Sequence, residues 1–566
     1  MKSLSKVTQR PLVCALILNM LFLAAALAIL PPAYEAANDD LTIAAFADGQ
    51  MAVKCAHIPY INFVLALLLK SVYTLFGEAV AWYAVLQYVL LFWSFTLISA
   101  ALFERLELRQ AAAVTLIMLL FFGVDGYMYI SYTKTAGVCA VGGMVSLLAA
   151  AEQGKGWRRT IPGTLLCLFG FLLRKMEFLP CMAITAMLAL RFLYSLVLED
   201  KSPSADRWRR FVKFAAPFAV MLVLCAGSFA VDKLAWSRSP WREWAEFDAV
   251  RVDYSDYGRP DYDRMPEQYD ALGLTESAVK LLGGGNYFDG DNFGKDTMAA
   301  IRDARDELFP KKSVGECLGR LLDDCIPAFF VQLPIYALLA VLLLWLAGGE
   351  HELRSWLALG AAFAVFALCY LYLIYRGRYL IDRVDCALFL ALFAVAALLL
   401  DRKRLGNERL LCAAVLLVAL FFAWWKERDC GRTAPSETLL SQRQAVERLL
   451  EDEEHIYFAK LDTVNDALYS PFTPMPRGYW DRIVLLGGWD CNHPALMQVL
   501  ARYGVQNPYR DSVGNGRVYF IEDDIDLTLQ YIREYYDPGA TAELVEPVSS
   551  ETGLTIYSIL SGGAHG

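Results

Sequence analysis

Long apolar blocks decide what this chain can fold into. A helix needs about 20 apolar residues to cross the hydrocarbon core of a bilayer. Blocks of that kind begin near residues 12, 80, 110, 133, 160, 178, 214, 326, 355, 384 and 409, with Ala337–Leu346 and Leu411–Trp425 among the densest stretches. Of the 566 residues, 57% are hydrophobic without counting glycine and only 20% are charged. A soluble domain carries about 45–50% apolar residues with glycine included, and about 25% charged. A single soluble domain and a disordered chain are both excluded. The fold class expected is a polytopic α-helical membrane protein with about 11 transmembrane helices. A net charge of −9 leaves no basic face for phosphate neutralisation, so nucleic acid is not a partner.

The first block, Leu12–Leu30, follows Lys2, Lys6 and Arg10 and runs through the small-x-small sequence Ala26-Leu27-Ala28. It exceeds the roughly 7–15 residues of a signal-peptide core and reads as a retained anchor. The block Ile58–Phe76 carries Lys70 and is broken by Pro59 and Asn62, which suits a helix lying along the membrane surface. With that block not crossing, one set of loops holds 18 basic residues: Lys2, Lys6, Arg10, Arg105, Arg109, Lys155, Arg158, Arg159, Lys201, Arg207, Arg209, Arg210, Lys213, Arg354, Arg402, Lys403, Arg404 and Arg409. The short loops of the other set hold seven, namely Lys54, Lys134, Arg174, Lys175, Arg376, Arg378 and Arg383, or eight with Lys70. The positive-inside rule then puts the N-terminus in the cytoplasm, and eleven crossings leave the C-terminus outside the cell (inner or plasma) membrane.

Four regions follow. Residues 1–232 form an N-terminal transmembrane module with the first outer loop and surface helix, and 233–325 form a large extracytoplasmic loop. Residues 326–425 hold the last membrane helices, and 426–566 form an extracytoplasmic tail. The tail alternates helical stretches (Glu437–Leu450, Ala495–Tyr503, Leu527–Tyr535) with strand-like runs (Ile456–Phe458, Ile483–Leu486, Val518–Ile521, Thr555–Ile559), the pattern of a small α/β domain. No internal repeat is present, which weighs against a transporter built from duplicated halves.

Most of the 13 cysteines sit singly in apolar blocks and read as small buried hydrophobes, while Cys430 and Cys491 of the tail could pair. There is no CxxC, and the five histidines are scattered, so no zinc site is expected. The sequence Asp289-Gly290-Asp291 reads as a turn: Ala300 stands where a calcium loop needs an acid, and Gly283-Gly284-Gly285 is not followed by the Lys-Ser/Thr of a phosphate loop.

The polar residues gathered on the outer face carry the chemistry. Asp39-Asp40, just past a membrane helix, can serve as a general base, one acid raising the other's pKa, or can be ordinary solvated acids. Asp125 and Lys134 flank a short second outer loop, where charges at membrane depth need partners or water. Arg174, Lys175 and Glu177 form a third charged turn, either functional or snorkelling to the headgroups. Arg376, Arg378 and Arg383 run against the positive-inside trend and call for an anion: a lipid phosphate, or carboxylates such as Asp382, Asp385 and the outer acidic loops.

The order of these features resembles a known family. A first membrane helix, an outer Asp39-Asp40, the segment His57-Ile58-Pro59-Tyr60, an amphipathic stretch and Leu75-Phe76-Gly77-Glu78 together resemble the polytopic GT-C glycosyltransferases, the class of the protein mannosyltransferases and the lipid A aminoarabinose transferase. Gly170–Lys175 followed by Pro180 is similar to a GT-C element in which a basic residue faces the donor phosphate. The resemblance covers about the first 180 residues; Asp-Asp replaces the Asp-Glu of many members, and His-Ile-Pro replaces a Pro-Pro pair. It implies a polyprenyl-phosphate sugar donor, a glycan or glycolipid acceptor and membrane lipid as partners, with Asp39 or Asp40 as the base. Arg174, Lys175, Arg376, Arg378 and Arg383 would hold the donor phosphate, with Asp125, Lys134, Glu177 and His57 as accessories. No metal is required, although the acids have the oxygen donors for Mg²⁺ or Mn²⁺. A ligase or polymerase of lipid-linked glycans and a lipid or glycan transporter stay open as alternatives.

Overall fold

The computed structural model describes residues 10–29, 32–35, 39–51, 53–152, 156–309, 311–348, 351–403, 437–460, 469–472, 475–546 and 548–563. The eleventh apolar block and Cys430 lie outside them; Cys491 is buried, its thiol donating to the Leu486 carbonyl at 3.6 Å.

The chain is a polytopic α-helical membrane protein with a small α/β region at its C-terminal end. Seven helices are long and apolar enough to cross a bilayer: Pro11–Ile29, Trp82–Arg105, Leu108–Met128, Tyr132–Glu152, Lys175–Glu199, Ser204–Ala235 and Leu353–Arg376. An eighth is added if Val314–Phe329 and Pro334–Ala347, bent by 92° at the break, form one span. Two further blocks of the expected eleven form shorter helices, Ile161–Leu173 of 13 residues and Asp382–Leu398 of 17. At about 1.5 Å per residue neither reaches the roughly 30 Å of the hydrocarbon core unaided. The block Ile58–Phe76 becomes a helix only over Phe63–Phe76, too short to cross. It buries Leu65, Leu69 and Tyr73 and leaves Leu68, Leu75 and Phe76 exposed.

Tyr132–Glu152 is the axis of the bundle, with 17 of its 21 residues buried. Small residues let its neighbours close on it. A Cβ added to Gly142 would stand 2.7 Å from the Ser94 backbone, and one added to Gly143 would stand 2.8 Å from the Gly163 carbonyl oxygen. Such contacts drive helix association in lipid, where burial of apolar surface no longer does.

At one end of the bundle the loops, the large 233–325 segment and the C-terminal region share a single apolar core, which runs from Phe46 and Ile58 through Tyr254 and Phe288 to Phe458 and Ile521. The C-terminal sheet has five strands, β3 (Ile456–Ala459), β4 (Ile483–Leu485), β5 (Val518–Ile521), β6 (Thr541–Leu544) and β7 (Ile556–Leu560), in the order β4-β3-β5-β7-β6. The first three are parallel, and β7 is antiparallel to β5 and β6. The central β3 is buried at every position, as a parallel strand covered on both faces must be. The large segment docks on this unit: Tyr287 N–H donates to the Leu486 carbonyl at 3.2 Å, and Trp244 Nε1 to that of Cys491 at 3.1 Å. Asp289 lies buried among the Tyr531 and Tyr536 hydroxyls and the Asn507 amide, and it closes the expected turn by accepting from the Asp291 and Asn292 N–H groups.

Candidate active site

A two-stranded parallel ribbon assembles the site. β1 (Ala33–Tyr34) pairs with β2 (Tyr129–Ile130), so the loop after the first helix is tied to the head of the axial Tyr132–Glu152 helix. The next turn starts the helix Asp40–Asp48, which sets Asp39 and Asp40 against that head.

The two neighbouring aspartates meet different fates. Asp40 is fully buried, and its Oδ1 accepts from the Tyr83 hydroxyl (2.6 Å), Gln87 Nε2 (2.8 Å) and the Tyr132 N–H (3.1 Å). Gln87 is itself fixed by the Thr135 hydroxyl, which donates to its Oε1 at 2.9 Å. Burial pushes the Asp40 carboxyl up to about 7, against the lowering effect of the Tyr83 and Gln87 hydrogen bonds. Asp39 is the N-cap residue, yet its side chain makes no capping hydrogen bond and stays 27% exposed. Its Oδ2 accepts from the Tyr132 hydroxyl at 2.8 Å and lies 3.9 Å from Arg174 Nη1.

Arg174 completes the group. It stands at the break between Ile161–Leu173 and Lys175–Ala186, donates to the Tyr132 hydroxyl oxygen, and stacks 4.8 Å over the Tyr132 ring and 5.9 Å from that of Tyr60. Tyr60 holds a left-handed backbone (φ 68°), and its hydroxyl accepts from Arg251 at 2.9 Å. A non-glycine residue in that region persists only where its surroundings fix it, which here are the two guanidinium groups. Arg383 makes no hydrogen bond or ion pair among the described residues, while its charge acts on Arg174, Glu177 and Glu35. Two guanidinium groups within electrostatic range of each other thus gather near the Asp39 carboxylate.

The other expected residues are spent elsewhere. Arg376 pairs with Asp253 at 3.4 Å and lies 3.9 Å over the Tyr257 ring, and Arg378 pairs with Asp256 at 2.5 Å. Asp253 and Asp256 are three apart on the helix Trp241–Tyr257 and share a face, so this carboxylate pair meets the two arginines. Lys134 is buried at the second loop between two carboxylates, Asp125 (2.6 Å) and Glu35 (3.4 Å). Lys175 points its ammonium 5.0 Å over Phe229. Glu177 is buried near Arg174 and accepts the Cys181 thiol at 3.7 Å. His57 stacks on Trp241 at 4.2 Å and contacts the Ala235 carbonyl at 3.3 Å, pinning the first loop to the end of Ser204–Ala235. Burial lowers its pKa. Among the described residues no three His, Cys, Asp or Glu side chains converge as a metal site would require.

Sequence reasoning missed Tyr132, Tyr83, Gln87 and Tyr60. A glutamine in the second turn of the mostly apolar helix Trp82–Arg105 is the one of these that advertised itself.

No family model matches the chain, and no curated protein matches it. Among solved structures, the chain is similar to the crystal structures of ArnT from Cupriavidus metallidurans bound to undecaprenyl phosphate and in the apo state. Each comparison covers 96% of this chain and 98% of the other, at 12% identity and a TM-score of 0.39.

Proposed function

We propose that this protein is a membrane glycosyltransferase of the GT-C kind, moving a sugar from a polyprenyl-phosphate donor to a glycan or glycolipid acceptor, with Asp39 as the general base. Asp39 takes the proton of an acceptor hydroxyl, whose oxygen attacks the anomeric carbon. The bond from that carbon to the phosphate oxygen breaks, and its electron pair leaves with the polyprenyl phosphate. Arg174 and Arg383 stabilise the charge that grows on the leaving phosphate. Tyr132 holds Asp39 and Arg174 at a fixed spacing, so the base and the cation act on one bound donor. Asp40 is the buried post on which this arrangement stands and touches no substrate. No step calls for a metal.

The observation that carries the reading is the division between the two aspartates: one carboxylate fully enclosed, its neighbour partly open and 3.9 Å from the Arg174 guanidinium. The imbalance of 18 basic residues against seven supports an N-terminus in the cytoplasm and a site and C-terminal domain on the outer face.

The test is turnover of polyprenyl-phosphate sugars by the protein in lipid. Asp39→Asn should lower the rate by about 10³-fold with thermal stability unchanged, and Arg174→Ala by about 10²-fold. A transporter, or a glycan ligase that needs no acid in the first loop, would lose nothing in Asp39→Asn.

A further inference from the structure

The helix that seats Asp40 also lines a chamber. Leu41, Ala44, Ala45 and Asp48 continue the Asp40 stripe along its length and face a cavity of about 640 Å³. Small-ligand sites typically enclose roughly 300–1,000 Å³. The opposite walls are the start of the helix Trp82–Arg105 and residues 470–472 and 475–481 of the C-terminal domain. Residues 475–481 are held there by Arg477 on Glu78 at 2.5 Å and by Gln50 Nε2 donating to the Met475 carbonyl at 3.4 Å.

The lining selects a chemistry. Four aromatic rings contribute to it: Tyr34, Tyr73, Tyr88 and Phe472. Phe472 is 63% exposed and lies parallel to Tyr88 at 6.2 Å, an aromatic shelf left open to a ligand. Asp48 accepts hydrogen bonds from the Gln50 N–H (3.0 Å) and side-chain amide (3.1 Å) and forms no ion pair among the described residues. Burial holds its carboxyl up near 6. Lys54 and Arg477, the adjacent cations, are both taken by Glu78 at 2.7 and 2.5 Å. Both adjacent cations already share the Glu78 carboxylate and Asp48 adds a negative charge to the wall, so an anion is disfavoured, while the buried carboxylate is a poor neighbour for a lipid chain.

We propose that this chamber seats a neutral, hydroxylated sugar ring, the head of the acceptor, resting on the transferase reading above. The C–H face of a sugar ring stacks against electron-rich aromatic faces. Its hydroxyls donate to the Asp48 carboxylate, which accepts charge-assisted hydrogen bonds. Asp48 lies about 12 Å along the helix from Asp40. The chamber therefore runs along the same short helix that carries Asp39 at its N-cap. The C-terminal domain supplies the outer wall of an acceptor site, which gives the domain a part in the reaction.

The experiment is titration of neutral methyl glycosides (glucose, galactose, mannose, N-acetylglucosamine) against the full-length protein in lipid nanodiscs, followed by saturation-transfer NMR. Glucosamine, glucuronate and inorganic phosphate are the charged controls. At least one neutral glycoside should bind saturably. Phe472→Ala, which alters an exposed side chain and leaves folding intact, and Asp48→Asn should each weaken it about fivefold. Ala44→Trp should abolish it, and Asp39→Asn should leave it unchanged. The proposal is overturned if no neutral glycoside saturates, if Ala44→Trp and Phe472→Ala bind as wild type does, or if a charged control is preferred. Turnover lost in Asp39→Asn without glycoside binding in wild type would sink the chamber alone. Saturable binding with turnover indifferent to Asp39 would sink the transferase site and leave the chamber standing.

Discussion

Asp40→Asn tests whether Asp40 is a buried, protonated structural group, because such a carboxyl leaves a pH dependence on stability that asparagine lacks. The Asp40 carboxyl titrates near 7 in the folded chain, against about 3.8 when unfolded. Between pH 4 and 7 the folded state therefore holds a proton that the unfolded state has released. Stability then falls as pH rises, because the slope of unfolding free energy with pH follows protons bound unfolded minus folded. Each pKa unit is worth about 1.4 kcal/mol, so Asp40 costs about 4 kcal/mol across that window. Asparagine is the uncharged isostere: it keeps an acceptor for the Tyr83, Gln87 and Tyr132 donors and does not titrate. Thermal unfolding of wild type and Asp40→Asn in nanodiscs, from pH 4 to 7, isolates the effect, since every other group titrates in both. The variant should gain on wild type steadily toward pH 7. With about 2.1 cal/mol/K of unfolding entropy per residue, 4 kcal/mol is roughly a 3 °C shift in Tm if the chain unfolds as a unit. Asp40→Ala, which strands three buried donors at about 1–3 kcal/mol each, should be destabilised at every pH. A difference between wild type and Asp40→Asn that is flat with pH would refute the reasoning: Asp40 would then be ionised in the fold and available as the base.

Tyr132→Phe removes the hydroxyl shared by Arg174 and Asp39 and should lower turnover about tenfold to a hundredfold, with donor KM little changed, in steady-state kinetics. Arg383→Ala breaks no ion pair among the described residues, so it should weaken donor binding at unchanged Tm, checked by titration with polyprenyl phosphate. Arg378 and Asp256 are each largely shielded from solvent, and a double-mutant cycle on thermal stability should give a coupling of about 1 kcal/mol, with turnover little affected by either single change. His493 caps the helix Pro494–Arg502, and burial lowers its pKa to about 3, well below the unfolded value of 6.5. Its contribution is complete above pH 6.5 and is lost as pH falls toward 3, so His493→Asn, which keeps a capping oxygen, should blunt acid unfolding of the C-terminal sheet followed by circular dichroism.

What the sequence made legible were features written in one segment at a time. Apolar blocks located ten of the helices, and alternation with flanking helices located β3, β4, β5 and β7 within about one residue. β6 went unseen because Thr541-Ala542-Glu543-Leu544 is a mostly exposed edge strand with no buried face to pattern it. The site was half legible for the same reason. Asp39-Asp40 and Arg174 announce themselves as charges at helix ends, but nothing local tells two adjacent aspartates apart. That distinction comes from partners 43, 47 and 92 residues away, Tyr83, Gln87 and the Tyr132 backbone, which together claim one carboxylate and leave the other open. The arginines reverse the case. Arg376, Arg378 and Arg383 look alike in sequence, yet two meet carboxylates from a helix about 120 residues earlier and the third meets none among the described residues. A charge with no ion-pair partner near a membrane is costly unless an anion arrives to share it. Removing the compensation elsewhere should therefore create a second anion site: Asp256→Asn frees Arg378 and should raise nonproductive polyprenyl-phosphate binding without raising turnover. If turnover rose as well, Arg378 would belong to the donor site after all, and the assignment of the phosphate to Arg174 and Arg383 would fail.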